Sequence, residues 1–155
     1  RGKLRRDRSR DANFALQAEA RAVFDWRPSS DSRFAAAILP RGGGGVFDFA
    51  VAPTFGGVLL EQAQLLPPGE YRLTVASTGI DQPPVSQPYW TLICQDGREL
   101  GRLPLSKSDG NSSYFIGTFR VPADCGRQML SFVARATDDI MGVSGQVLEA
   151  RLLPV

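Results

Sequence analysis

The 155-residue sequence contains no histidine. That removes the commonest general base and the commonest metal ligand, and with them every Ser-His or Cys-His nucleophile pair. Hydrolysis by carboxylates alone survives this exclusion, but no pair of acids stands out. Cysteine is almost as scarce, Cys94 and Cys125 being the only two. With no other soft ligand they do not make a zinc site. Two states remain open for them, a disulfide or two unrelated core thiols. The disulfide is the expected one, and it implies the periplasm or the cell exterior. No apolar run is long enough to span a bilayer, and no signal peptide is visible. The chain opens on Arg1 without an initiator methionine, so it is expected to be a piece of something longer.

What is abundant is punctuation. Sixteen glycines and eleven prolines lie between short apolar runs, a pattern of many turns rather than long helices. The net charge of +2 hides a segregation. Arg1, Lys3, Arg5, Arg6, Arg8 and Arg10 face only Asp7 in the first ten residues, leaving 12 basic and 15 acidic side chains from residue 11 onward. The basic stretch has no interleaved aromatic residue to stack a base. It reads as a solvated linker, and no nucleic-acid partner is expected.

Asp11 to Ala22 is alanine-rich, with Phe14, Ala18 and Arg21–Ala22 at helical spacing and Asp11 as N-cap. The spacing predicts one short amphipathic helix, which needs something to pack on. From Val23 the period changes to two. Phe34 to Leu39 and Val46 to Val51 flank Pro40–Gly45, a hairpin with a flexible glycine tip. Those glycines lack the following Lys-Ser/Thr and the helix of a phosphate-binding loop. In Glu70 to Ser77, Tyr71, Leu73 and Val75 alternate with Arg72, Thr74 and Ala76. Tyr89–Gln95 and Arg98–Leu103 flank the turn Asp96-Gly97, and Tyr114–Val121, Met129–Ala136 and Gly145–Leu153 complete nine or ten short strands. The predicted fold is all-β, an antiparallel β-sandwich over residues 23–155 preceded by a basic tail and linker helix over residues 1–22.

Three stretches carry a resemblance. Gln62-Ala63-Gln64-Leu65-Leu66-Pro67-Pro68-Gly69-Glu70-Tyr71-Arg72-Leu73 resembles a stretch of jelly-roll modules with a galactose-binding-like fold, a group that includes many non-catalytic carbohydrate-binding modules. Phe119–Ala123 followed by Gln128-Met129-Leu130 is similar to their penultimate hairpin, and Ser144–Leu152 to their final strand. The two cysteine contexts also resemble domains that follow helical repeats in bacterial envelope proteins. Such modules usually end in an acidic pair near the last strand, whereas only Glu149 stands here, so no structural calcium is expected.

The resemblance implies sugar binding by aromatic faces on a concave sheet or at loop tips, with amide, arginine or acid groups on the hydroxyls. The candidates are Trp26, Tyr89, Trp90 and Tyr114, with Gln62, Arg72 and Arg135 as polar partners. Alternation puts Trp90, Leu92 and Cys94 on one face and Tyr89, Thr91 and Ile93 on the other, which favours a core position for Trp90. Tyr114 shares a more open face with Ile116, Thr118 and Arg120. Asp138-Asp139 reads as a turn, and no metal or cofactor is expected. The expectation is a non-catalytic interaction module of an exported bacterial envelope protein, with a glycan or an envelope protein as partner. The alternative is an assembly domain that docks on a partner protein of a polysaccharide synthesis or secretion machine.

Overall fold

The computed structural model describes residues 5–17, 21–106, 113–137 and 142–155. Asp138 and Asp139 lie outside the described residues. Ten strands follow in chain order: β1 (Arg27–Pro28), β2 (Phe34–Arg41), β3 (Gly44–Val51), β4 (Gly57–Gln64), β5 (Gly69–Thr78), β6 (Tyr89–Cys94), β7 (Glu99–Pro104), β8 (Ser113–Val121), β9 (Gln128–Ala134) and β10 (Val143–Pro154). They form two five-stranded sheets, β1-β4-β9-β6-β7 and β2-β3-β10-β5-β8, with every pairing antiparallel. The chain changes sheet repeatedly, so most neighbours within a sheet are distant in sequence.

The alternation seen in the sequence decides which side chains meet between the sheets. Tyr71, Leu73 and Val75 of β5 point inward, as do Trp90 and Leu92 of β6 and Leu130 and Phe132 of β9. An aromatic column runs through this layer from Phe14 to Trp26, Trp90, Phe132 and Phe49, with successive ring centroids 5.0–5.7 Å apart. Each fully buried ring contributes roughly 1.5–3 kcal/mol by its removal from water.

The expected helix over residues 11–22 is not formed in the described part of that range, residues 11–17 and 21–22. The single helical element among the described residues is a 3-10 turn, Pro84–Ser86, and none is long and apolar enough to cross a membrane. Asp11 and Phe14 instead have φ of +54° and +55°. Beyond one turn closed by Phe14 N donating to Asp11 O, the backbone of this segment bonds to strands. Ser9 N donates to Leu152 O, Ala150 N to Ala12 O, and Gly45 N to Asn13 O, at 2.9–3.0 Å. Residues 9–14 thus bridge β3 and β10 beyond Val147, the last β10 residue paired with β3. Phe14 is fully buried. Burial of that ring and pairing with two strands outweigh the modest helix propensity of an alanine-rich stretch.

The glycine hairpin is also tighter than its sequence predicts. β2 and β3 pair as far as Arg41 and Gly44, leaving only Gly42-Gly43 as the turn, with Gly42 at φ +56°. Gly45 is required by the N-terminal segment, because a Cβ there would lie 2.0 Å from the Phe14 carbonyl oxygen.

Candidate functional site

The seven candidate residues are divided among three places. Trp26, Trp90 and Gln62 are fully buried between the sheets. Trp26 Nε1 donates to Asp11 O at 2.8 Å, while Trp90 Nε1 has no hydrogen-bond partner. The Gln62 amide accepts from Arg10 N at 2.9 Å and donates to Arg10 O at 3.0 Å, clamping the N-terminal segment to β4. Its role here is structural. Tyr114 and Arg72 lie on the outer face of the β5–β8 pair, Tyr114 opposite Ala76 and Arg72 opposite Thr118. Tyr89 and Arg135 lie together on the outer face of the other sheet, with the Arg135 guanidinium carbon 4.8 Å from the Tyr89 ring centroid.

That second outer face has an ordered pattern that follows from register alone. One row across the strands runs Ala63, Met129, Ile93 and Glu99. The next runs Arg27, Glu61, Ser131, Thr91 and Arg102. The third runs Val58, Val133, Tyr89 and Pro104. Adjacent rows are two residues apart, roughly 7 Å. A polar row is therefore bordered by two mainly apolar ones. Ser131, the small residue at the centre, is ringed by larger neighbours, and a groove of about 480 Å³ opens there between Val58, Glu61, Ile93, Met129, Gln95 and Arg127. A second depression of about 260 Å³ shares Val58 and Glu61 and continues to Arg27 and Ser29–Ser30 at the sheet edge.

The disulfide Cys94–Cys125, with its Cα atoms 5.7 Å apart, ties the end of β6 to the turn before β9. Gln95 N donates to Arg127 O at 3.0 Å just beyond it, which fixes one end of the groove. Outside the groove on the same face, Arg102 lies 4.3 Å from the Tyr89 centroid and donates to Glu99 at 2.6 Å. That hydrogen bond to Glu99 raises the Arg102 pKa above its ordinary value, so the guanidinium is permanently charged. Tyr89 is thus a ring attended by two arginines. Among the described residues no group of three or more acids, cysteines or histidines could hold a metal ion.

Sequence reasoning reaches Tyr89 and Arg135 but misses Ile93, Met129, Glu61 and Arg127. Their signal is present in the alternation of β6 and β9, since Ile93 shares the Tyr89 face and Met129 the face opposite Leu130. What the sequence does not supply is the order β4-β9-β6, which brings those faces into one surface.

No protein-family profile matches the chain, and no curated protein does. Solved structures do match. An arabinose-bound α-L-arabinofuranosidase superposes with a TM-score of 0.63 at 12% identity, over 93% of this chain and 25% of that one. A CBM4 carbohydrate-binding module gives 0.61 at 12% identity, over 95% of this chain and 99% of the module. The CBM22-1 xylan-binding domain of Paenibacillus barcinonensis Xyn10C gives 0.56 at 8% identity, over 88% and 90%. At such identities the likeness is one of architecture, and the fold of this chain is the jelly roll of carbohydrate-binding modules.

Proposed function

We propose that the chain is a non-catalytic, glycan-binding module of an exported envelope protein, and that a polysaccharide lies along the outer face of β4, β9 and β6. The groove on that face carries the reading. A sugar chain offers C–H faces to apolar rows and hydroxyl edges to a polar row, and both are present around Ser131. Tyr89 supplies the aromatic contact, with Glu61 and Arg102 among the hydroxyl partners. A fold alone does not fix a function, but the xylan-binding domain that shares this architecture supports a glycan as ligand class. The disulfide supports an oxidising compartment, periplasmic or extracellular.

Affinity electrophoresis in gels cast with neutral polysaccharides (xylan, β-glucan, galactan) and with an acidic one tests this. Retardation is expected in at least one gel. Tyr89→Ala should weaken it by about tenfold, the loss of one aromatic contact worth roughly 1–1.5 kcal/mol. Tyr114→Ala, on the opposite sheet, should leave it unchanged. Unretarded migration in every gel would sink the proposal.

One observation favours a second reading, an assembly domain docking on a protein. Tyr114 and Ile116 are 68% and 63% exposed side by side on the outer face of β8. In that case Ile116→Asp would abolish co-purification of the partner from the native host, and Tyr89→Ala would not.

A further inference from the structure

We infer that the glycan bound on this face is acidic, a chain carrying uronate carboxylates that are gripped by Arg127 and Arg135. The inference rests on the glycan-binding reading above and adds the class of ligand. Met129, Ser131 and Val133 point outward along β9, and the same alternation carries to the flanking Arg127, which lines the groove, and Arg135, which lies beyond it beside Tyr89 on the same face. Eight residues of extended chain separate them by roughly 27 Å, room for several pyranose rings. Among the described residues neither arginine forms an ion pair, whereas Arg98 pairs with Asp96 and Asp124, and Arg102 with Glu99. Arg135 Nε is buried with no hydrogen-bond partner, and its guanidinium is held over the Tyr89 ring. The ring contact orders the group, and its Nη atoms rather than the buried Nε are what an acceptor can reach. A planar guanidinium fork matches a carboxylate in two parallel hydrogen bonds, which a sugar hydroxyl cannot provide.

The carboxylates on this face fit the same scheme. Glu99 is neutralised by Arg102, and Glu61 stands in the central polar row opposite Arg27. The uncompensated charge is therefore positive at the ends, which suits a ligand with negative groups at those ends and a hydroxyl-bearing ring over Glu61. The other basic cluster, Arg5, Arg6, Arg8 and Arg10 beside Ala63, is a weaker claimant, because Asp7 and Asp25 pair three of its four arginines.

Titration calorimetry of the full chain with a galacturonate hexamer, a xylose hexamer and a sulfated hexasaccharide tests the inference. The galacturonate hexamer is expected to bind at least tenfold more tightly than the xylose hexamer at low salt, with the advantage shrinking at high salt. Arg127→Ala and Arg135→Ala should each cost about tenfold towards galacturonate and little towards xylose, and Arg135→Lys should restore only part. Unchanged urea midpoints would show that the variants fold. Equal or tighter binding of xylose overturns the acidic assignment and leaves the glycan-binding reading standing. Heat from none of the three ligands removes both. Galacturonate binding that is indifferent to Arg127 and Arg135 moves the site to the N-terminal arginines and overturns the inference. Tighter binding of the sulfated sugar, with losses that track charge alone and full rescue by lysine, overturns carboxylate recognition.

Discussion

At the scale of single residues, the side chains with the most chemistry in the sequence are mostly occupied in building the fold. Gln62 replaces backbone partners for Arg10, and Gln128 does the same for Leu66, whose N–H it accepts at 2.9 Å. Trp26 caps the Asp11 carbonyl. A glycine, by contrast, is where the scaffold is most sensitive. The Gly45 N–H bonds Asn13 O, and the space for a Cβ is filled by the Phe14 carbonyl. Gly45→Ala can be accommodated only by moving the N-terminal segment and pulling Phe14 out of the aromatic column. The expected cost is about 1–3 kcal/mol from overpacking, rising if Phe14 leaves the core. Gly43→Ala is the control, since nothing lies within 4 Å of its Cβ position. Urea midpoints should fall for Gly45→Ala and stay within about 0.5 kcal/mol of the parent for Gly43→Ala. Equal midpoints would contradict the packing of this segment.

At the scale of elements, the disulfide adds a covalent link between the end of β6 and the turn that leads into β9. Its cysteines are 31 residues apart, and chain entropy for such a loop corresponds to about 3.7 kcal/mol. A Cys94→Ser, Cys125→Ser double variant, or the parent in reductant, should lose stability of that order in urea. An unchanged midpoint would mean that the bond constrains nothing. Most strands are legible in the sequence, because burial on one face leaves a period of two in residues such as Tyr71, Leu73 and Val75. The helix expected over residues 11–22 fails for a physical reason. Its periodicity is that of a segment seeking a core, and local propensity does not reveal that Phe14 enters one through a left-handed backbone. The site is half legible. Alternation puts Tyr89 and Ile93 on one face, but the groove exists only because β9, more than thirty residues later, inserts between β4 and β6. Register across such distances leaves no local trace.

At the scale of the whole molecule, the titrating groups are separated to the two ends of the pH range. With no histidine and both cysteines oxidised, no side chain type present ordinarily titrates between about pH 5 and 9. The thermal midpoint should therefore be flat across that window. On the acid side, hydrogen bonds from the Arg33 side chain and backbone lower the Asp31 carboxyl to about 2. A backbone hydrogen bond from Arg98 lowers Asp96, and the Arg8 side chain lowers Asp7. A depressed folded pKa gives stability that is complete above the unfolded value near 3.9 and is lost as the pH falls towards the folded one. The midpoint should thus decline between about pH 4 and 2, and Asp31→Asn should make that decline shallower. These carboxylates are at the surface, so 1 M salt should blunt the effect as well. On the alkaline side, burial first and the Asp7 charge second raise the Tyr71 phenol, which donates to the Pro67 carbonyl. Here the sign reverses. The contribution is complete below about pH 10, the unfolded value, and disappears as the pH rises through the raised folded one. Calorimetric scans from pH 2 to 11 should give a plateau with two falling limbs, the upper one removed by Tyr71→Phe. A step in the midpoint between pH 5 and 9 would contradict this assignment, because no side chain of the protein is available to produce it.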